Sequence, residues 1–569
     1  EAISCYEKAL KLKPDYAEGW SNKGNVLNDL KRYDEAISCY EKALSLYPDY
    51  HQAWTNIGVT LYELKHYEEA FSCYEKALKL KPDYAEGWSN KGNVFNDLKR
   101  YDEAIACYNS ALAIKPDIHW VFGDMLFASL TICDWEHLDS NLTQLIQQIQ
   151  LGKKVTPPFT LLSLIDDPVL HKQCAEIYAN DRYPFNPILG PIQKYPKKQK
   201  IRIGYYSADF RSHPVAMLMA EIFELHNKDQ FEIYAFSFGE NDKSPLRERL
   251  TKSFDQFIDV RQSSEMDIAK LSRKLAIDIA VDLGGFTKDS RTGIFSYRAA
   301  PIQVNYLGYP GSMGADYMDY MIADKNLVPF ESKSCNSEKV IYLPNSYQAN
   351  DRQRAISNKR FSRKELGLPD DAFVFCCFNN NYKILPETFD SWMRILRAVE
   401  GSVLFLYCTN TFSKANLLSK ATQSGINCSR LIFGEHLSPE EYLARYRACD
   451  LFLDTFPYNA GTTASDALWA GLPVLTLMGQ SFASRVAASL LNAIELPELI
   501  TSSREDYEVL AIDLATNPKK LASIKQKLAI NRSTTPLFDT PRFTQHIEAA
   551  YIQMYERYHA GLPAESFCI

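Results

Sequence analysis

The sequence predicts an α-solenoid followed by an α/β region of two halves, each built on a parallel sheet. Three features predict this order. Residues 1–117 repeat with a period of 34, short apolar runs alternate with helical segments after Lys200, and residues 451–477 run from a strand through a turn into a helix and a second strand. Helix pairs at a fixed period stack into solenoids, whereas strands alternating with helices are typical of parallel sheets.

Composition limits the classes of function. The 569 residues, 46% of them hydrophobic, can bury two or three domain cores. The formal net charge of −7 provides no broad basic surface, which argues against nucleic acid as a partner. The sequence has no apolar run of membrane-spanning length, and its 13 Cys lack metal-binding spacing. We therefore expect no membrane partner and a reducing, cytoplasmic location.

Residues 1–117 contain repeated copies of one pattern. The segment that begins at Glu1 recurs at Glu35 and then twice more at the same interval. Each full period contains a bulky knob such as Trp20 and, four residues later, a glycine such as Gly24 that permits close helix contact. The spacing resembles the tetratricopeptide repeat, whose units stack into a superhelix with a concave inner surface. Because the chain starts within the second helix of a unit, we expect further repeats to precede it.

Three asparagines occupy the same position in successive repeats. Asn22, Asn56 and Asn90 each lie two residues before the repeated glycine. Asparagine is a mediocre helix former, so its recurrence within a helix needs a reason. One interpretation is a solvated polar face copied by duplication. The other, which we favour, is a ladder of donors and acceptors that holds an extended peptide. The recurring cysteines are interpreted as core residues: Cys5, Cys39, Cys73 and Cys107.

The rest of the chain divides into three parts. Residues 118–199 stay helical without the period and are predicted to be a connecting region. Residues 200–365 and 366–569 are predicted to be two Rossmann-like halves. Strands are predicted at residues 201–207, 231–238, 277–282, 303–307 and 321–324, and then at 373–378, 403–407, 431–433, 451–454 and 474–477. Ligands bind beyond the carboxyl ends of strands in open parallel sheets, so function is expected in the following loops.

In the first half, the loop after the first strand carries His213. The next residue, Pro214, is suited to the first turn of a helix, which would aim the imidazole towards the crevice. Asp209 lies four residues before His213, and this pairing favours proton transfer over a purely structural histidine. Two further loops, 284–287 and 308–314, contain glycines that allow close approach of the backbone to a ligand.

In the second half, Thr462 and Thr463 open a helix directly after a turn. The unpaired N–H groups and the dipole of a helix N-terminus attract phosphate, and the two hydroxyls add donors. Asp466 can accept from sugar hydroxyls or simply complement the helix dipole. Lys383 follows another strand and can neutralise a diphosphate leaving group, or can be a surface lysine. Tyr442 can stack on a base or belong to the core.

Together these features suit a nucleotide-sugar transferase of the GT-B fold. Two Rossmann-like halves supply the cleft, one helix end with a lysine opposite binds a diphosphate, and a histidine lies across the cleft. Paired aspartates of the DxD type are absent from a suitable place in the sequence. We therefore expect no metal and no cofactor other than the nucleotide-sugar co-substrate.

At this point the chain resembles the O-GlcNAc transferase / SPINDLY family, glycosyltransferase family 41. The motifs that carry the resemblance are long: SADFRSHP, LGYPG, FNNNYK, LDTFPYNAGTT, DALWAGLPV and ASRVAASLL, with repeats ending in ALxxxPD. The resemblance covers nearly the whole chain. It implies a metal-independent, inverting enzyme that transfers a sugar from a nucleotide donor to Ser or Thr hydroxyls of proteins bound along the repeats.

The resemblance also implies roles for individual residues. His213 would be the catalytic base or an essential cleft residue, and Lys383 would contact the diphosphate and stabilise the departing nucleotide. The other donor-binding positions that it implies are Leu307, Gly308 and Pro310 beside the sugar, Thr462, Thr463 and Asp466 at the diphosphate and ribose, and Asn380, Leu437, Pro439, Tyr442, Arg445 and Gly461.

Three positions depart from the animal-type pattern. Gly461 and Tyr442 stand where histidines occur, and Pro439 stands where a lysine occurs. A ring at Tyr442 still allows stacking, but uracil specificity stays open. UDP-GlcNAc is the expected donor, and the alternatives are GDP-fucose or a repeat scaffold with a degenerate transferase. The expected partners are acceptor proteins on the repeats, and the sequence leaves a homo-oligomer open.

Overall fold

The computed structural model of the chain describes residues 2–569, which form two compact units. The first unit comprises residues 2–131, 154–156 and 262–264, and the second comprises the rest. The first unit is a stack of helices: α1 (Ala2–Leu12), α2 (Ala17–Asp29), α3 (Tyr33–Leu46), α4 (His51–Glu63), α5 (Tyr67–Leu80), α6 (Ala85–Asp97), α7 (Tyr101–Ile114) and α8 (Val121–Thr131). This confirms the predicted solenoid. Helix α8 packs on α7 and extends the stack beyond residue 117.

The repeated glycine has a steric cause. A Cβ on Gly24 would lie 2.5 Å from the ring of Tyr40, which is buried and donates to Asn25 at 2.9 Å. The same contact recurs one repeat later between Gly58 and Tyr74. Two helices of a repeat can therefore approach closely only where the first helix has no side chain.

The Asn ladder positions lie on the first helices of three repeats, α2, α4 and α6. Asn22 is exposed, whereas Asn56 and Asn90 are half-buried. Asn56 Nδ2 donates to Ser21 Oγ of the preceding repeat at 3.2 Å. Peptide binding by this row stays a prediction. Of the recurring cysteines, three are buried as expected, but Cys5 is exposed because α1 buries only Leu10 among the described residues.

The second unit begins with three helices and then builds a parallel sheet. The helices are α9 (Leu138–Gln150), α10 (Pro158–Leu164) and α11 (Pro168–Arg182). The strands and helices that follow are β1 (Ile201–Ser207), α12 (Pro214–Leu225), β2 (Phe231–Ser237), α13 (Pro245–Ser253), β3 (Gln256–Asp259), α14 (Glu265–Lys274), β4 (Ile279–Asp282), α15 (Gly293–Ser296), β5 (Ile302–Asn305), β6 (Tyr320–Asp324) and β7 (Lys339–Leu343).

A second parallel sheet follows in the chain. Its elements are β8 (Val374–Cys377), α16 (Pro386–Ala398), β9 (Val403–Tyr407), α17 (Thr411–Gln423), β10 (Leu431–Gly434), α18 (Pro439–Arg445), β11 (Leu451–Leu453), α19 (Thr462–Ala470), β12 (Val474–Leu477), α20 (Val486–Ala493), β13 (Ile500–Thr501), α21 (Arg504–Thr516) and α22 (Pro518–Thr534). The chain ends with α23 (Thr540–His559) and β14 (Phe567–Cys568). The two parallel sheets confirm the predicted GT-B architecture.

Strand order fixes where a ligand can enter each sheet. The first sheet has the order β14-β7-β6-β5-β4-β1-β2-β3, and the second has β10-β9-β8-β11-β12-β13. The order reverses between β4 and β1 in the first sheet and between β8 and β11 in the second. Loops that leave the carboxyl ends of these strands diverge and open a crevice. The candidate residues that follow β1, β8 and β11 lie at these openings. Others follow neighbouring strands: Leu307, Gly308 and Pro310 come after β5, and Leu437, Pro439, Tyr442 and Arg445 come after β10.

The last helix and strand belong to the first sheet, although the predicted boundary placed residues 366–569 in the second half. Strand β14 pairs with β7, and α23 packs on α12, β5 and β7. Ile547 and Tyr551 of α23 are fully buried in the core of the first sheet. Tyr205 of β1 donates to the hydroxyl of Tyr551 at 3.1 Å. A long apolar helix face does not identify the sheet that it covers, so the sequence did not reveal this return.

We expect Ile547→Ala to destabilise the first sheet by about 2–5 kcal/mol, because it leaves a cavity under a fully buried side chain. Amide hydrogen exchange should accelerate in β5 and β7 before it changes in β8 to β12. Ile530→Ala is the control, since Ile530 on α22 is 57% exposed and its loss should cost less than about 0.5 kcal/mol. Faster exchange confined to the second sheet would contradict the assignment of α23.

Candidate functional site

Helix α19 begins at Thr462, as predicted, and Gly461 is its N-cap residue. Among residues 2–569, no side chain caps this helix. Tyr446 donates from its hydroxyl to the carbonyl of Thr463 at 3.3 Å, and Thr463 Oγ1 donates to Asn379 Oδ1. The first turn of α19 is therefore held from two sides, while its backbone N–H groups lack a capping side chain and can receive an anion.

A buried carboxylate fixes the turn before this helix. Asp454 follows β11 and is 2% exposed. Its Oδ1 accepts from the N–H of Ala460 at 2.7 Å, and its Oδ2 accepts from Thr476 Oγ1 at 2.7 Å. Asn379, which follows β8, donates to Thr455 at 2.8 Å and to Asp454 at 3.3 Å. Burial raises the pKa of Asp454 to about 6, against the effect of these donors.

Lys383 lies beside the same turn and is buried. Its Nζ donates to the carbonyl of Asn459 at 3.0 Å and lies 3.5 Å from the centroid of the Tyr458 ring. Burial lowers the pKa of Lys383 to about 8, while the nearby charge of Asp454 opposes that shift. The surface-lysine alternative is wrong. A buried ammonium beside an uncapped helix end is suited to a bound anion.

The predicted base platform is an aromatic cluster that surrounds Arg445. The guanidinium carbon of Arg445 lies 4.0 Å from the ring centroid of Phe378 and 5.1 Å from that of Tyr442. The Tyr442 hydroxyl lies 2.6 Å from the hydroxyl of Tyr446, which orients a half-buried ring. Arg445 is 1% exposed and donates to the Glu435 carbonyl at 3.0 Å. Its Nε and Nη2 have no hydrogen-bond partner in the described part of the chain.

Asp466 of α19 is buried and accepts at Oδ1 from Arg354. Burial raises the pKa of Asp466, and the Arg354 charge opposes the shift. Trp469, one turn further along α19, donates from its indole to the Arg354 carbonyl at 3.2 Å. A carboxylate has two oxygens, so acceptance from a ribose hydroxyl stays a prediction. Sequence analysis did not identify Arg354, because it lies in a connecting segment without a recognisable motif.

His213 is the N-cap residue of α12, which begins at Pro214 as predicted. Its Nδ1 lies 3.4 Å from Asp209 Oδ2 and accepts from the Val215 N–H at 3.3 Å. Burial lowers the pKa of His213, and the Asp209 carboxylate partly opposes this. The imidazole is therefore neutral near pH 7. In one tautomer its Nδ1 accepts from the Val215 N–H, and in the other its Nδ1 donates to Asp209 and leaves Nε2 free to accept a proton.

The two glycine-containing loops of the first half, residues 284–287 and 308–314, pack closely against each other. Leu307 has a φ of 71°, and a Cβ on Gly308 would lie 2.0 Å from the carbonyl oxygen of Leu283. Pro310 is buried in the same loop. Tyr309 joins a hydrophobic cluster that includes Tyr458 from the second half. Since Tyr458 also contacts Lys383, this cluster connects the loop that carries Leu307, Gly308 and Pro310 with the anion side of the site.

The remaining predicted positions lie on loops. Leu437 is half-buried, and Asn380 and Pro439 are exposed. Asn380 Nδ2 lies 3.5 Å from the Tyr382 hydroxyl. Within the described residues, no group of three or more His, Cys, Asp or Glu side chains could hold a metal ion. None of the helices between residues 2 and 569 has the length and apolar character that a bilayer-spanning helix needs.

Sequence analysis did not identify the residues that position the predicted site residues. Asn379 and Asp454 both follow buried strands at the reversal point, the same signal that identified Lys383. That signal would have found them. Tyr458 and Asn459 lie within the turn before α19, and sequence analysis assigned no role to the side chains of that turn. The hydrogen bonds that assemble these groups join segments about 75 residues apart, which no local spacing reveals.

Sequence models of two protein families match the chain. Glycosyl transferase family 41 matches residues 132–360 and 358–547. Tetratricopeptide repeat profiles match residues 1–16, 15–83 and 85–118. The first of these covers more than half of the chain.

Known proteins are similar over both regions. A probable UDP-N-acetylglucosamine–peptide N-acetylglucosaminyltransferase SEC of Arabidopsis thaliana is 33% identical over 464 residues, covering 78% of this chain and 48% of that protein. A UDP-N-acetylglucosamine–peptide N-acetylglucosaminyltransferase of Caenorhabditis elegans is 28% identical, with 76% and 49% covered. The chain thus spans about half the length of these relatives. A solved mutant of the Thermobaculum terrenum O-GlcNAc transferase superimposes with a TM-score of 0.69 at 26% identity, covering 95% of this chain and 97% of that one.

We expect Asn379→Ala to lower the stability of the second sheet by about 2–4 kcal/mol. The change removes the buried bonds to Asp454, Thr455 and Thr463 and leaves their partners unsatisfied. Asn380→Ala is the matched control, since the adjacent side chain is exposed and should contribute less than about 0.5 kcal/mol. Thermal unfolding of the two variants checks the difference, and equal midpoints would contradict the role of Asn379.

Proposed function

The chain belongs to glycosyl transferase family 41, and on that premise we propose that it transfers a sugar from a nucleotide donor to Ser or Thr hydroxyls of proteins. UDP-GlcNAc is the proposed donor, and the repeats are the proposed acceptor-binding surface. The observation that carries the proposal is the buried Lys383 ammonium beside the uncapped N-terminus of α19. The names of the relatives support the choice of sugar and acceptor.

In the proposed reaction the acceptor oxygen attacks the anomeric carbon as the bond from that carbon to the diphosphate breaks. Negative charge grows on the departing diphosphate. The N–H groups of α19, the hydroxyls of Thr462 and Thr463, and the ammonium of Lys383 stabilise it without reorganising. This set of donors replaces the cation that other transferases use, so we propose a metal-independent reaction.

The proton of the acceptor hydroxyl must leave during the attack. A neutral His213 whose Nδ1 donates to Asp209 can accept this proton at Nε2, and this role is consistent with the lowered pKa of the imidazole. The alternative is that His213 positions the sugar or acceptor. The two roles differ in their pH dependence, which separates them below.

The donor test measures transfer to a protein acceptor from UDP-GlcNAc and from GDP-fucose, each with excess EDTA. We expect transfer from UDP-GlcNAc at an unchanged rate in EDTA. Gly461, Tyr442 and Pro439 are the departures that keep GDP-fucose as the second candidate. Faster transfer from GDP-fucose would reverse the donor assignment, and loss of activity in EDTA would overturn metal independence. Absence of transfer and of nucleotide binding would support a scaffold.

We expect kcat/KM to have two pH limbs. Activity requires the charged Lys383 and should fall as the pH rises through about 8. It requires the neutral His213 and should fall at acidic pH, below the ordinary range of a histidine because its pKa is lowered. Lys383→Arg should shift the alkaline limb upward, whereas Lys383→Ala should reduce the rate about 10²–10³-fold.

The acidic limb tests the role of His213. If the imidazole is the base, His213→Ala should lower the rate about 10²–10⁴-fold and remove the acidic limb. If it positions a substrate, the rate falls but the limb persists. Full activity of either the Lys383→Ala or the His213→Ala variant would contradict the site.

The repeats are tested separately. We expect a triple alanine variant at Asn22, Asn56 and Asn90 to lose acceptor affinity, because each side-chain bond to a peptide is worth about 0.5–1.5 kcal/mol. UDP affinity and slow donor hydrolysis should not change. The matched control is a triple alanine variant of the exposed second-helix serines Ser4, Ser38 and Ser72. Unchanged acceptor affinity in the Asn variant would mean that the row is a solvated face.

A further inference from the structure

Gln348 is a buried side chain without a structural explanation. The residue is 1% exposed, and its Nε2 has no hydrogen-bond partner within residues 2–569. An unpartnered buried amide lowers stability relative to an apolar side chain of similar shape. Such a group is expected to have a partner that the isolated chain lacks.

The surrounding segment is held rigidly. The N–H of Tyr347 donates to Asp324 Oδ2 at 2.9 Å, and its carbonyl accepts from Tyr306 at 2.9 Å. The N–H of Gln348 itself donates to Ser346 Oγ at 3.1 Å. The backbone of Gln348 therefore has little freedom, whereas its carboxamide makes no hydrogen bond within residues 2–569 that would fix its orientation.

The segment that carries Gln348 runs alongside α19, beginning at the start of the helix. Ser465 Oγ donates to Asn350 Oδ1 at 2.6 Å, and further along Asp466 accepts from Arg354. At the beginning of the helix, a Cβ built on Gly461 would lie 3.5 Å from Gln348 Oε1. The carboxamide of Gln348 thus lies beside the N-cap residue of the uncapped helix.

We propose that Gln348 is a donor-contacting residue whose amide N–H binds the diphosphate of the nucleotide sugar at the start of α19. The inference rests on the proposed function and adds a residue to that site. Two observations meet here: a nine-residue helix with an uncapped N-terminus, and a buried carboxamide beside it whose Oε1 adjoins Gly461 and whose Nε2 has no partner within residues 2–569. Rotation of the planar amide by 180° exchanges these two atoms and turns the N–H towards the helix start. An anion at the helix end would give that donor its missing partner.

The closeness of Gln348 to Gly461 predicts that the two positions act together. Gly461 has a negative φ of −99°, so its backbone does not require glycine. A Cβ there would meet Val486 at 3.4 Å and Gln348 at 3.5 Å, which are ordinary contacts. A side chain at position 461 would enter the space that the Gln348 carboxamide now adjoins. The polar group at the helix start is therefore supplied from the connecting segment instead of from the N-cap.

The test compares Gln348→Leu with the unaltered chain in binding UDP and uridine. We expect UDP affinity to fall about tenfold to a hundredfold, because a hydrogen bond to a charged group is lost. Uridine affinity should not change, since uridine has no diphosphate. The thermal midpoint of the ligand-free variant should equal or exceed that of the unaltered chain, because no protein hydrogen bond is removed.

Gln303→Leu is the matched control for stability. The Gln303 carboxamide is equally buried, but it donates to the carbonyls of Phe295 and Tyr317 at 3.0 and 2.7 Å and accepts from the Ala299 N–H at 2.8 Å. Its replacement should lower the thermal midpoint. A second variant, Gln348→Leu combined with Gly461→His, should recover part of the UDP affinity by placing an N–H donor from the N-cap.

The outcomes are distinct. Unchanged UDP affinity in Gln348→Leu would overturn this inference alone. Equal losses for UDP and uridine would mean a distorted pocket and would also overturn it. Failure of the unaltered chain to bind UDP or GDP would overturn the proposed function, and this inference with it.

Discussion

The turn that leads into α19 depends on one buried carboxylate. Asp454 accepts from the N–H groups of Thr455 and Ala460, from the amide of Asn379 and from the hydroxyl of Thr476. These donors come from the ends of β8 and β11, from β12 and from the turn into α19. One side chain therefore fixes the relative positions of three strands and a helix start. Loss of any one donor would leave a buried charge partly unsatisfied.

Asp454 is hydrogen-bonded to neutral groups, and this explains why Lys383 is not paired with it directly. The carboxylate uses its hydrogen bonds on amides and hydroxyls, while the ammonium donates to a carbonyl and lies over the ring of Tyr458. The two charges still attract, which moderates the pKa shifts that burial imposes on both. A directly paired lysine would present a neutralised group to a diphosphate. Held as it is, Lys383 keeps its charge available for an anion.

The sequence predicted local features of the fold and missed contacts between residues far apart in the chain. Strands β1, β9 and β12 were predicted with the bounds that the structure has, because they are uninterrupted apolar runs. The missed strands are short or at sheet edges: β3, β7, β13 and β14. The start of α19 at Thr462 was predicted because caps and turns are local. The pairing of Asp466 with Arg354 was not, because it joins residues 112 positions apart and neither lies in a motif that records the other.

Most of the unpartnered polar atoms around α19 are hydrogen-bond donors. The guanidinium of Arg354, that of Arg445 and the carboxamide of Gln348 each keep at least one buried N–H without a partner inside the described residues. Asn459 Oδ1 is an acceptor among them. A buried donor that no other group of the protein satisfies lowers the stability of the fold. Their concentration at one helix, together with a charged lysine and an uncapped N-terminus, gives this half of the unit an excess of donors that a nucleoside diphosphate can satisfy. Under the proposed function, the stability that these unsatisfied donors cost the fold is recovered when a nucleotide sugar binds.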